Sequence, residues 1–231
     1  MAEGFFQTSK RSFSVIEDIG NKYYDCLMAN SLFQDLEKDF CGDITRCKMH
    51  DLALSISKRE TLHLEDNLRD DIDVSHIQHL SLISDGHTTH AIPLSKDGTS
   101  RLHIIFLIGA DLGDKLLDFK YLRGLSLSGP CIKELPESIC NFIHLRLLRI
   151  KRTSDKALPK SLTKLYNLHT LRIDYCPCLK ELPKDLQNLI SLRHLDIDHQ
   201  YIEQLPINMG RLTCLQTLHF FVKTLVIELK N

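Results

Sequence analysis

The sequence has no phosphate-binding loop, because no stretch of it fits Gly-x-x-x-x-Gly-Lys-(Ser/Thr). Such a loop holds nucleotide phosphates with backbone N–H groups and a lysine. Long apolar runs are scarce as well. The longest clean run, 104–110, covers seven residues, far below the ~20 that span a bilayer. These absences argue against an ATPase, and we expect neither an enzyme nor a membrane span.

A secretory signal is missing too, since residues 1–13 contain no basic segment followed by an apolar run. The hydrophobic content of 43% is ordinary for a soluble protein. At 231 residues the chain is long enough for one or two domains. We therefore expect a soluble, cytoplasmic protein.

Neither sign of charge is in excess, with 29 basic and 30 acidic side chains. The charge is unevenly placed, however. Residues 61–100 carry two basic and seven acidic groups, a net of −5, and residues 101–231 carry 19 and 13, a net of +6. The positive charges are scattered rather than gathered with aromatic residues on one face, so we do not expect a nucleic-acid partner.

A leucine pattern, Leu-x-x-Leu-x-(Leu/Ile/Phe), occurs five times with starts 23, 23, 24 and 23 residues apart. The starts are Leu122, Leu145, Leu168, Leu192 and Leu215. Each of the four full units adds a Leu-Pro pair: Leu135-Pro136, Leu158-Pro159, Leu182-Pro183 and Leu205-Pro206. Apolar residues three apart follow each pair. This is the spacing of a leucine-rich repeat.

The spacing has a physical cause. Residues two apart in a strand point to the same side, so the paired leucines of each unit face one core. Proline is tolerated at the first turn of a helix, and the apolar residues after it line one face of a helical or 3₁₀ return segment. One coil cannot bury these faces alone. We predict about five stacked coils over 101–231, with their strands lining the concave wall of a horseshoe.

The residues that flank the core positions of each strand should face that wall. Their central row reads Ser126, Arg149, Arg172, Asp196, His219, and the next row reads Ser128, Lys151, Asp174, Asp198, Phe221. Two readings are open: a solvated face, or a docking surface on which charge sets the orientation and the encounter rate. The candidate protein-binding residues are Arg149, Lys151, Arg172, Asp174, Asp196 and Asp198.

Cysteines and histidines give no metal site by their spacing. The eight cysteines contain no Cys-x-x-Cys pair, and several fall where the repeat takes small apolar residues, so we expect core packing. The pairs His76-x-x-His79 and His87-x-x-His90 lack further ligands at a suitable spacing. We expect no metal.

The first 60 residues follow another pattern. Apolar residues three and four apart predict a helix over 14–29, alternation predicts strands at 31–36 and 44–48, and a second helix should begin at Asp51. Helix, hairpin and helix fit a winged-helix unit. We expect an α/β chain with a small winged-helix domain over 1–60, an acidic linker with irregular first strands over 61–100, and the repeat solenoid after it.

Four successive segments, Met1–Phe5, Glu17–Tyr23, Ser31–Asp35 and Lys48–Leu52, together with the Leu-x-x-Leu-Pro returns, carry a family resemblance. They resemble the winged-helix end of the NB-ARC module, and the first repeats, of coiled-coil-type plant disease resistance proteins. Because Met1–Phe5 resembles an internal segment of these receptors, we expect a truncated receptor. The resemblance implies intracellular pathogen recognition and regulation of defence signalling. The alternative is a stand-alone repeat scaffold, or a truncated paralogue, without nucleotide control.

The resemblance also implies a nucleotide contact. In that family the Met-His-Asp motif lies beside bound ADP, which implies that His50 approaches the diphosphate, with Met49 and Asp51 beside it. Equally, His50 fits a capping or packing role at the head of its helix. ADP or ATP is the cofactor of the full-length family, and we expect none in this chain alone. The implied partners are the receptor's own NB-ARC module, a pathogen effector or a guarded host protein.

Overall fold

The computed structural model describes residues 33–38, 44–49, 60–64, 76–84, 101–109, 116, 119–130, 132, 134–198, 202 and 205–220. The chain divides into two compact units, with the change between Thr61 and Leu62. Within the described ranges, no helix is long and apolar enough to cross a membrane.

The first unit contains an antiparallel strand pair, β1 (Phe33–Lys38) and β2 (Ile44–Met49). Phe33 lies opposite Met49 and Lys38 opposite Ile44, with register shifts in between. The predicted strand pair is confirmed, although β1 begins two residues later than expected. The predicted helices over 14–29 and from Asp51 lie outside the described residues.

The second unit contains an eight-stranded sheet whose strands stand in chain order. The strands are β3 (Thr61–Leu64), β4 (His79–Ile83), β5 (Ile104–Ile108), β6 (Gly124–Ser128), β7 (Leu147–Lys151), β8 (Thr170–Asp174), β9 (His194–Ile197) and β10 (Thr217–Phe220). From β4 to β10 every neighbouring pair is parallel. Parallel strands joined in sequence by short returns form a solenoid, so the predicted leucine-rich-repeat architecture is confirmed.

The core is a set of rows that run from coil to coil. Leu125, Leu148, Leu171 and Leu195 are paired in one register and are fully buried. Short 3₁₀ helices form the predicted returns: Glu137–Asn141, Lys160–Lys164, Leu186–Asn188 and Met209–Arg211. The first two begin immediately after Pro136 and Pro159, which cap them in extended conformation and accept the first hydrogen bond of each turn from Ile139 and Leu162.

The segment before residue 101 is more regular than we expected. Thr61–Leu64, placed in the linker by the sequence, forms the edge strand β3, and Leu64 is buried. Strands β4 and β5 pair in an unbroken parallel register rather than irregularly. The reason is that Leu80 and Leu82 alternate with wall residues as the repeat leucines do, and both are buried.

A turn with positive φ follows four of the strands, and after three of them, β5 to β7, the ladder gains one further hydrogen bond. Gly109 and Gly129 have φ of 68° and 128°, and Arg152 and Tyr175 have 53° and 52°. The N–H groups of Gly129 and Arg152 donate to the carbonyls of the next coil, at 3.0 Å in both cases. A Cβ on Gly109 would lie 2.1 Å from the carbonyl oxygen of Ser84. This first turn therefore requires glycine.

Candidate protein-binding surface

The wall is the face of the sheet opposite the core, and two of its aligned rows hold the candidate residues. Parallel register places Phe106, Ser126, Arg149, Arg172 and Asp196 side by side on successive strands, with His219 at the end. The second row runs through Ile83, Ile108, Ser128, Lys151 and Asp174. The predicted rows are confirmed from β6 to β10 in the first case and from β6 to β8 in the second. Phe221 lies outside the described residues.

The two rows change character between β6 and β7. We call Ile83, Phe106, Ile108, Ser126 and Ser128 the early wall, and we call Arg149, Lys151, Arg172, Asp174, Asp196 and Asp198 the late wall. The early wall has no charged side chain, whereas every member of the late wall is charged. The change takes place between adjacent strands of one continuous sheet.

Asp174 is the centre of an ion-pair cluster on the late wall. Its Oδ2 accepts hydrogen bonds from Nε and Nη2 of Arg149, at 2.9 and 2.7 Å. Nε of Arg172 lies 3.1 Å from Oδ1 of the same carboxylate. Charge-assisted hydrogen bonds of this length are the strong kind. The Asp174 side chain is only 11% exposed, so its carboxylate faces its two arginines rather than solvent.

The cluster continues into the next strand. Nε of Arg172 also lies 3.2 Å from Oδ2 of Asp196, whose side chain is 31% exposed. Arg149, Arg172, Asp174 and Asp196 therefore form one chain of alternating charge across three strands. The sequence placed Asp174 on an open row, but the structure buries it. The physical reason is that the long side chains of Arg149 and Arg172 contact the short Asp174 side chain from two neighbouring strands.

The other two candidates differ from these four. Asp198 is partly buried, and its backbone N–H donates to the carbonyl oxygen of Ile173 at 2.9 Å. Lys151 is partly exposed and forms no ion pair with any residue in the described ranges. Among the described cations of the late wall, Arg149 and Arg172 form ion pairs and Lys151 does not.

Sequence reasoning missed the functional interest of the early wall. Phe106 and Ile108 are 44% and 45% exposed, and Ile83 is 39% exposed. The run Ile104–Ile108 consists of five apolar residues, a pattern that suggests burial on both faces. Only Ile105 and Leu107 of this run are buried in the core. The useful signal was the register itself, because 106 and 108 fall on the same rows as Ser126 and Ser128.

Cysteine placement follows the prediction in one case and departs from it in two. Cys176 is buried, and its Sγ lies 3.5 Å from Oγ1 of Thr153 and 3.4 Å from the carbonyl oxygen of Asp174. Cys178 and Cys214 are exposed, which corrects the expectation of core packing. They occupy turns, where the coil presents side chains to solvent. No group of three or more metal-ligating side chains occurs among the described residues.

The predicted nucleotide contacts lie at the end of the hairpin. Met49 ends strand β2, while His50 and Asp51 lie outside the described residues. The role of Met49, His50 and Asp51 toward a nucleotide stays a prediction.

Comparison with known families and structures gives one result for each unit. Residues 1–56 match the family described as "Disease resistance protein Winged helix domain". A leucine-rich-repeat protein of Leptospira interrogans is similar in structure, with a TM-score of 0.57 and 24% identity; the match covers 63% of this chain and 37% of that protein. A comparison with curated proteins gives no match.

The leucine-rich-repeat domain of the type III effector XopL is similar over more of the chain. Its TM-score is 0.52 with 18% identity, covering 91% of this chain and 88% of that domain. Identities this low show the fold alone. Residues 1–56 are thus similar to the winged-helix domain of disease resistance proteins, and a leucine-rich-repeat solenoid follows them in the chain.

Proposed function

We propose that this chain is the recognition and regulatory part of a plant intracellular immune receptor of the NB-ARC, coiled-coil type. It acts in the cytoplasm by protein–protein interaction and catalyses no reaction. The observation that carries the proposal is the order of the two units. A winged-helix match specific to disease resistance proteins occupies residues 1–56, and a repeat sheet follows in the same chain.

The wall supports a protein-binding role. Its side chains stand on a continuous parallel sheet, so a partner meets a surface that is already formed and loses little freedom in ordering it. The candidate partners are the receptor's own NB-ARC module, a pathogen effector or a guarded host protein. The late wall offers Lys151 and the outer edges of Arg149 and Arg172, which are 37% and 47% exposed, to an acidic surface.

Nucleotide control requires more than this chain. One histidine near a diphosphate contributes roughly 1.5 to 3 kcal/mol through a charge-assisted hydrogen bond, whereas a micromolar site needs about 8 kcal/mol. The rest belongs to a phosphate loop, which the sequence does not contain. In a full receptor His50 would contact the ADP diphosphate, with Met49 and Asp51 beside it. By itself the chain should bind neither ADP nor ATP measurably.

The missing phosphate loop favours a second candidate function, a stand-alone repeat scaffold that binds proteins without nucleotide control. The two candidates differ in what lies upstream in the transcript. Mapping the 5′ end of the messenger RNA tests this directly. An in-frame phosphate-loop sequence supports the receptor, and a stop codon directly upstream supports the scaffold.

Calorimetry with ADP provides the biochemical test. We expect no heat of binding from the 231-residue chain at concentrations that saturate a micromolar site. In a full-length relative, replacing the histidine and aspartate that correspond to His50 and Asp51 should speed ADP release and cause self-activation. Micromolar ADP binding by the isolated chain that is lost in His50→Ala would contradict the proposal that nucleotide binding requires a phosphate loop outside this sequence.

A further inference from the structure

The early wall combines exposed apolar side chains with the small polar side chains of Ser126 and Ser128. Ile83 and Ile108 are direct neighbours in the second row, and Phe106 lies beside them in the first. Each is about two-fifths exposed, whereas the core positions of the same strands, Leu82, Ile105 and Leu107, are buried. On the next strand, Ser126 and Ser128 occupy the same two rows with short side chains that carry one hydroxyl group each.

Lys151, a cation without an ion-pair partner among the described residues, lies on the far side of the two serines. Ile108, Ser128 and Lys151 occupy consecutive positions of one row. Arg149, the neighbour of Lys151 on the wall, already binds Asp174 through two nitrogens. The row therefore offers an apolar contact, one hydroxyl group and one positive charge without an ion-pair partner among the described residues, in that order.

The distance between the two ends of this site sets the length of the ligand. Neighbouring strands lie about 4.8 Å apart, so Ile108 and Lys151 are separated by about 10 Å across the sheet. A peptide in the polyproline II conformation rises about 3.1 Å per residue with three residues per turn, so side chains three positions apart lie on the same face and about 9 Å apart. An apolar side chain that packs on Ile108 and a carboxylate that reaches Lys151 are thus three positions apart in the ligand.

Other occupants fit less well. A stable interface with a folded protein buries about 800 Å² on each partner, which three half-covered apolar side chains do not supply. A second copy of the early wall would bring Lys151 towards another lysine, and Asp174 is enclosed by its own arginines. A nucleic acid would need several available cations on one face, and this site has one.

We infer that the early wall, together with Lys151, binds a short linear peptide in the polyproline II conformation. The peptide carries an aromatic or aliphatic residue that packs on Phe106 and Ile108, and an Asp or Glu three positions away that pairs with Lys151. The inference rests on the proposed role of the wall in protein binding and specifies the class of ligand. Because Ser126 and Ser128 have short side chains, the peptide backbone can approach the sheet closely.

The test uses fluorescein-labelled octapeptides in a Ser/Gly background and the full 231-residue chain. Each peptide holds one Phe and one Asp, separated by one to five positions and in both orders. Fluorescence anisotropy measures binding. The tightest binding is expected at a separation of three, and replacing Phe by Ser or Asp by Asn in that peptide should weaken it roughly tenfold.

Matched variants of the protein locate the site. Phe106→Ser and Lys151→Gln should each weaken the best peptide roughly tenfold, and raised salt should weaken binding to the wild type more than to Lys151→Gln. Two substitutions at exposed positions outside the wall, Tyr166→Ser and Lys160→Gln, serve as controls and should leave binding unchanged. Circular dichroism melts confirm that all four variants are folded.

Three outcomes would overturn the inference: no peptide binding up to about 1 mM, equal binding at every separation, or equal loss in the wall and control variants. None of these outcomes bears on the upstream reading frame or on ADP binding. The proposed receptor function is therefore tested independently of the peptide site.

Discussion

The early and late halves of the wall share one backbone and differ in what their side chains do. Both halves stand on strands with the same parallel register over the same buried leucine rows. In the late wall, Asp174 forms ion pairs with both Arg149 and Arg172. In the early wall, Phe106 and Ile108 are left nearly half exposed.

This difference shows that the number of charged side chains on a repeat surface does not by itself tell how much of that charge is available to a ligand. A cluster of arginines and aspartates suggests a docking surface, yet ion pairs across coils already use much of that charge. Exposed apolar side chains beside one unpaired lysine are less conspicuous in the sequence. They nevertheless retain the contacts that a ligand could make.

The largest expected effect concerns the core that both halves share. Leu125→Ala under the early wall and Leu171→Ala under the late wall should each reduce the free energy of unfolding by roughly 2 to 5 kcal/mol, because each leaves a cavity in a closely packed row. Denaturant melts measure this. A loss confined to one of the two variants would mean that the halves do not share a single core.

The second effect should separate the two halves. Asp174→Asn removes the charge that holds Arg149 and Arg172 together, and should cost about 1 to 2 kcal/mol, since the carboxylate is mostly buried while its arginines are partly exposed. Ser128→Ala, at the equivalent position two strands earlier, should stay within about 0.5 kcal/mol. If chemical melts give the same value for both variants, the cluster has no structural role.

A smaller effect is expected at the outer edge of the cluster. Arg172→Ala should cost about 0.5 to 1 kcal/mol, because its side chain is 47% exposed and its ion pairs are screened by water. The loss should shrink in high salt. A loss as large as that of Leu171→Ala would show that Arg172 packs as well as pairs. Because both arginines form ion pairs with Asp174, reversing Arg149 and Arg172 to glutamate would reduce stability as well as change binding.

The early wall should tolerate substitution better still. Ile108→Thr keeps a β-branched residue on the strand and should change the free energy of unfolding by no more than about 0.5 kcal/mol. The matched core variant is Leu107→Thr, whose side chain is buried, and it should be much less stable. Thermal and chemical melts of the pair test whether 108 truly faces outward.

The smallest effect lies on the return side, away from both halves of the wall. The hydroxyl of Ser161 and its backbone N–H, which donates to Oε2 of Glu137 at 3.2 Å, lower the pKa of Glu137 below its usual 4.5. A carboxyl with a lowered pKa stabilises the fold above its unfolded pKa, and this contribution is lost as the pH falls through the folded value.

Glu137→Gln should therefore be slightly less stable than the wild type at pH 7, and the difference should vanish in acid. Stability curves between about pH 3 and 7 measure this. A difference that persists or grows below the pKa of Glu137 would assign the effect to something other than its charge.

Much of the solenoid could be predicted from the sequence, because its information is local and periodic. The spacing of the leucines from Leu122 to Leu215 determines strand positions, the inward rows and the 3₁₀ returns after the prolines. The alternation of side chains along each strand then determines which residues face the wall. For residues 1–56 the ordered segments around Lys48–Leu52 indicate the disease-resistance winged helix, in agreement with the family match.

Only the tertiary structure decided which wall side chains are available. The burial of Asp174 depends on two arginines that reach it from its own strand and from β7, 25 residues earlier in the chain. The exposure of Phe106 depends on the short serines of the next strand. The place of Thr61–Leu64 in the sheet depends on a neighbouring edge that it can join. Periodicity specifies the direction of each side chain, whereas the length and charge of its neighbours across the coils determine what it contacts.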